Sequence, residues 1–135
     1  MTRQLLILGF LLPAFILLAG CKGKQRLFNV KGTVKYGEDP LPAGVIYFDP
    51  EAGKNSGPQG YAIIKDGQFD TAAEGGKGVT GGPYLIRIEG FDGKPGKELP
   101  LGKPIFTDFK KSLDLPKADS DQEIEVPLRK KKSDS

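Results

Sequence analysis

The chain has 135 residues, with 20 Lys and Arg against 17 Asp and Glu, 19 Gly, 11 Pro, one Cys, and neither His nor Trp. Without histidine, and with its one thiol at position 21, it lacks the commonest general base and the commonest metal ligand, and the length after Cys21 suits one domain with a modest core. Leu27 to Leu128 holds 12 basic and 16 acidic residues, so the basic surplus sits at the two ends and does not indicate a nucleic-acid surface.

Arg3 precedes an apolar run from Leu5 to Leu18, which is followed by the small pair Ala19-Gly20 and by Cys21. That is the three-part plan of a secretory signal peptide. As a helix the run would rise only ~21 Å against a hydrocarbon core of ~30 Å, and Pro13 weakens a straight span further. A lone cysteine at the foot of a signal segment has neither a disulfide partner nor a core to sit in. Its thiolate is a strong nucleophile, and the small residues before it let an extended backbone enter a protease cleft. Leu18-Ala19-Gly20-Cys21 resembles the lipobox of bacterial lipoproteins. The resemblance implies a diacylglyceryl thioether on Cys21, cleavage before it with Leu18, Ala19 and Gly20 as the recognised residues, and acylation of the new amino terminus. Several acyl chains make such an anchor lasting. Lys22 after the cysteine resembles an outer-membrane signal.

Lys22 to Arg26 is then a short polar tether. From Phe28, the residues Phe28, Val30, Val34 and Tyr36, with Gly32 in register, alternate with Asn29, Lys31, Thr33 and Lys35. This is the period of a half-buried strand. Gly37 to Pro42 reads as a turn. Gly44 to Asp49 is a strand apolar on both faces, hence central. After the polar loop Pro50 to Pro58 come strands at Gly60 to Lys65 and Gln68 to Thr71, joined by Asp66-Gly67, a dipeptide suited to the positive φ angles of a type I′ turn. Ala72 to Pro83 reads as irregular and Tyr84 to Glu89 as a strand. Gly90 to Pro104 is loop, Ile105 to Leu115 holds one or two short irregular strands, and Glu123 to Leu128 closes the domain with Ile124, Val126 and Leu128 on its apolar side. No helical period follows Cys21.

Val30-Lys31-Gly32-Thr33-Val34, Leu41-Pro42-Ala43-Gly44-Val45-Ile46-Tyr47-Phe48, Asp66-Gly67-Gln68-Phe69 and Gly82-Pro83-Tyr84-Leu85-Ile86-Arg87-Ile88, in that order, resemble the carboxypeptidase regulatory-like, transthyretin-like domains. More narrowly, the chain is similar to small lipoproteins of planctomycete-type bacteria that carry a lipobox and one such domain. Tyr36-Gly37-Glu38-Asp39-Pro40 departs from the usual Asp-Gly-Lys-Pro turn. The resemblance implies an all-β, single seven-stranded β-sandwich of Greek-key type. It implies no activity, because the peptidase chemistry of carboxypeptidases belongs to a separate zinc domain.

Other residues suggest sharper readings. Asp114, Asp119, Asp121, Glu123 and Glu125 offer oxygen ligands for calcium, but they lack EF-hand spacing, and Glu123 and Glu125 fit the solvent face of a strand. Gly75 to Gly82 is glycine-rich without the spacing of a phosphate-binding loop. Tyr36, Tyr47, Phe48, Tyr61, Phe69 and Tyr84 fit core packing, and a set exposed on one sheet would favour sugar stacking. Arg129 to Lys132 is a solvated basic end or a contact for acidic lipid or polymer.

The expected organisation is a signal peptide at 1–20, a lipidated cysteine and tether at 21–26, a β-sandwich at 27–128 and a basic tail at 129–135. The expected function is that of a non-catalytic envelope module without cofactor or metal, lipid-anchored at the cell membrane or outer membrane. It would bind a protein or polysaccharide partner or serve a structural role. The alternative is a carboxylate-based hydrolase, and the loops Pro50 to Pro58, Ala72 to Pro83 and Gly90 to Pro104 are the expected contact surfaces.

Overall fold

The computed structural model describes residues 25–129. The lipobox-like residues Leu18, Ala19, Gly20 and Cys21, and Lys130 to Lys132 of the tail, lie outside them. The described residues are all-β and contain no helix. Eight strands run in chain order: β1 (Val30–Tyr36), β2 (Asp39–Pro40), β3 (Ala43–Pro50), β4 (Gly60–Lys65), β5 (Gln68–Asp70), β6 (Gly82–Phe91), β7 (Pro104–Leu115) and β8 (Ser120–Val126). The resemblance to transthyretin-like domains implies seven strands; the eighth is β2, where Asp39 and Pro40 fold back on Tyr36 and Lys35.

The strands form one continuous curled sheet, not two separately hydrogen-bonded ones. From β1 it runs through β5, β4, β3 and β6 to β7, and every pair in that path is antiparallel. β8 lies on the other edge of β1 and pairs with it in parallel from Val30↔Ser120 to Tyr36↔Val126. Lys31 thereby sits between Asp121 on β8 and Asp70 on β5, and Lys35 beside Glu125. Opposite charges across neighbouring strands favour this register. Gly32 is required here, since a Cβ on it would lie 1.8 Å from the Gln122 carbonyl oxygen.

Alternation sets the inner face. Val30 and Val34 of β1, Ile46 and Phe48 of β3, Ala62 and Ile64 of β4, Phe69 of β5, Tyr84, Ile86 and Ile88 of β6, and Ile124 and Val126 of β8 meet in one core. Each large apolar side chain fully buried there contributes roughly 1.5–3 kcal/mol. β3 is central, as its composition requires, pairing with β4 on one side and β6 on the other. The turn between β4 and β5 has φ of 50° at Asp66 and 73° at Gly67, the two positive angles that a type I′ hairpin needs.

Two segments differ from the sequence reading. Residues 104 to 115 form one long strand, because Phe106 stands opposite Gly90 and Phe109 opposite Ile88, leaving Thr107 and Asp108 against Glu89 alone. Two residues against one make a bulge, which puts Phe106 and Phe109 on the same side and breaks the visible alternation. At the C-terminal end, pairing stops at Val126, where β1 turns away at Gly37, and Leu128 is 63% exposed. Its place in the alternation therefore does not bring it into the core.

The sheet has two poles. Gln25, the 51–59 and 71–81 segments and the 116–119 connection lie at one; the 37–38 and 66–67 turns, residues 92–103 and Arg129 lie at the other.

Candidate functional site

The outer face of β4, β3 and β6 carries the most distinctive surface chemistry. Strands apolar on both faces commonly have both faces covered, yet here the Ile46 and Phe48 side chains of β3 are fully buried while Val45 and Tyr47 on its other face are only partly so. Tyr47 stands directly opposite Tyr61 on β4, and Val45 opposite Ile63. Tyr61 is 37% and Ile63 48% exposed. Two aromatics and an isoleucine on adjacent central strands thus lie on the outer face, where the sequence reading assigned the two aromatics by default to the core.

A polar network borders them. Arg87 is opposite Tyr47 on β6, and its guanidinium lies 4.5 Å from the centre of the Tyr47 ring. The same guanidinium is ion-paired through Nε with Asp49 Oδ2, and Gln59 Nε2 donates to Asp49 Oδ1. Partial burial opposes the Asp49 charge, but the hydrogen bonds from Arg87 and Gln59 and the positive charges of Arg87 and Lys110 outweigh it. The Asp49 carboxyl is held below its ordinary range. The hydrogen bond to Asp49 raises Arg87 in turn, against a smaller cost of burial. Both stay charged at neutral pH, offering a fixed acceptor and a fixed donor beside the tyrosines.

The remaining candidate residues are scattered. Asp114 is on β7, Asp119 in the connection before β8, and Asp121, Glu123 and Glu125 on β8. Among the described residues no group of three or more acidic or cysteine side chains is spaced to hold a metal ion. Asp119 Oδ1 instead accepts the Asn29 backbone N–H at 2.8 Å, and Asp121, Glu123 and Glu125 are exposed along their strand. The Gly75 to Gly82 stretch is not a phosphate cradle: Val79 is fully buried and exchanges backbone hydrogen bonds with Phe28, while Lys77 does so with Tyr61. Arg129 pairs with Asp108, both well exposed.

Of the three loops expected to make contacts, two are fastened. Asn55 donates to the carbonyls of Gly81 and Pro83 and accepts from Gly57 N–H. The Tyr84 hydroxyl, at the end of a fully buried ring, accepts from Thr80 N–H at 3.1 Å and lies 3.1 Å from the Thr80 hydroxyl. Residues 92–103 form an extension of the β6–β7 hairpin, held by Asp92 Oδ1 accepting from Lys94 and Lys103 N–H.

Comparison with family models, characterised proteins and solved structures returned no match. The reading therefore rests on the chemistry of the chain itself. The strands at Gly44 to Asp49 and Gly60 to Lys65 were legible in the sequence, but neither their pairing nor the Asp49–Gln59–Arg87 network was, since the network joins residues up to 38 positions apart.

Proposed function

We propose that this chain is an exported lipoprotein, anchored through Cys21, whose domain is a non-catalytic envelope module that holds a polysaccharide. The lipobox supports the anchor. The curled sheet, its halves joined through β5, would be a form of the transthyretin-like, carboxypeptidase regulatory-like β-sandwich.

The observation that carries the binding function is the outward Tyr47–Tyr61 pair with Asp49, Gln59 and Arg87 beside it. Sugar rings present C–H faces that stack on phenol rings and hydroxyl groups that both donate and accept. A protein partner would fit the apolar part of this face, yet the charged pair at its margin suits a hydroxyl-rich ligand better. A carboxylate-based hydrolase needs one carboxyl kept protonated as the acid. Asp49, beside the aromatic pair, is biased the opposite way.

Mass spectrometry of the purified mature protein should find residues 1–20 absent and Cys21 diacylated; an intact N-terminus or a free thiol would sink the anchor. Glycan-array binding should show a ligand lost with Tyr47→Ala or Tyr61→Ala and retained with Lys97→Ala at the opposite pole. Turnover of that glycan, abolished by changing one acidic residue, would replace the binding module with the enzyme.

A further inference from the structure

Deepening the anchored-lipoprotein reading on which it rests, we infer that the Gln25 pole is a docking surface for anionic phospholipid headgroups, received in a groove between Lys54 and Lys117. Only three residues separate Cys21 from Gln25, so four chain steps reach at most ~14 Å. A thioether-anchored Cys21 therefore holds this pole, and not the one bearing Arg129, against the bilayer.

At that pole lies an open groove of about 350 Å³ lined by Gln25, by Lys54 to Gly57, by Thr80 to Pro83 and by Lys117. Its lining includes two lysines, the exposed Ser56 and no carboxylate. Lys117 lies against Gly81, and the Asn55 amide fixes the Lys54 side of the groove to the Gly81 side. Lys54 also reaches Glu51 at 3.2 Å, with its own side chain 70% exposed. Such a pair is weak in water and leaves the ammonium free to exchange its partner for a phosphate. Arg26, and in the sequence Lys22 and Lys24 between Cys21 and Gln25, add positive charge. Each basic residue within a Debye length of an anionic leaflet strengthens attachment, and the short tether keeps them there.

The consequence is an orientation. The 51–59 and 116–119 segments face lipid, and the 92–103 hairpin points away from it. The Tyr47–Tyr61 face then stands along the side of the domain, open to polymer in the envelope.

The test uses the full mature chain in two forms, acylated and as Cys21→Ser, with vesicles of phosphatidylcholine alone or mixed with phosphatidylglycerol. The unacylated form should partition onto the anionic vesicles and not onto the neutral ones. Lys54→Gln with Lys117→Gln should weaken that partition by about thirtyfold, and Lys97→Gln should leave it unchanged. In the acylated form, amide exchange at Ser56, Gly57, Gly81 and Gly82 should slow on anionic vesicles only. Circular dichroism confirms that the exposed-lysine variants remain folded. Undiminished partition of the double variant, protection falling on 92–103 instead, or binding of dextran sulfate without vesicle binding would each overturn the inference. Failure of Cys21 acylation would be seen separately by mass, and the unacylated form still tests the groove.

Discussion

The two poles of the sheet are made from similar sequence and held in different ways. Residues 50–58 and 72–83 at the Gln25 pole, and 90–104 at the other, are all rich in Gly and in Pro or polar residues. At the first, the Asn55 amide and the buried Tyr84 ring tie two loops to each other and to the core. At the second, the chain leaves the sheet, turns at Gly96 to Leu99 and returns, held by backbone bonds and by Asp92. Composition marks where a chain departs from a sheet; whether the departing segment is fixed depends on one or two side chains with buried partners.

The largest expected effect is at Tyr84. Tyr84→Ala opens a cavity in the core and should cost about 3–5 kcal/mol, whereas Tyr84→Phe keeps the ring, loses the Thr80 contacts and should cost about 1–2 kcal/mol in urea unfolding. If the phenylalanine variant matched the parent, the fastening of the first pole would be packing alone.

At the second pole, the tight turn between β4 and β5 is the stiff point. Gly67→Val forces a β-branched residue to φ 73° and brings its Cβ 2.6 Å from Pro40 Cβ. Thermal unfolding should show a loss of about 1–3 kcal/mol, and an unchanged midpoint would mean that this turn contributes no constraint.

A smaller effect belongs to Asp49, on the side of the sheet nearer the first pole. Asp49→Asn should cost about 1 kcal/mol or less at neutral pH, because the ion pair with Arg87 is partly open to solvent. Its pH dependence has a definite sign. The carboxyl is lowered in the native state, so its contribution is present above the unfolded-state value and fades as pH falls through the lowered native one. Unfolding midpoints of parent and variant should therefore converge in acid; divergence there would reverse the assignment.

The smallest is Leu99→Ser at the tip of the 92–103 hairpin. With that side chain 43% exposed, stability should stay within about 0.5 kcal/mol of the parent. A larger loss would show that the second pole is fastened as firmly as the first.

Local pattern alone determined a good deal of this protein. Period-two alternation identified β1, β6 and β8 and the inner faces of Val30, Val34, Tyr84, Ile86, Ile88, Ile124 and Val126, and Asp66-Gly67 identified its turn, because these depend on residues within one strand or one hairpin. Tertiary structure decided the rest. The stretch read as one or two short irregular strands is one long strand with a bulge, and only its register against β6 reveals that. The parallel pairing of β8 with β1, sealed where Asn29 N–H meets Asp119, joins residues 90 positions apart. Tyr47 and Tyr61 are of the same residue types as core side chains, and among the described residues no element covers their face. Alternation specifies that two faces exist, but which face the chain covers follows from how the whole sheet curls.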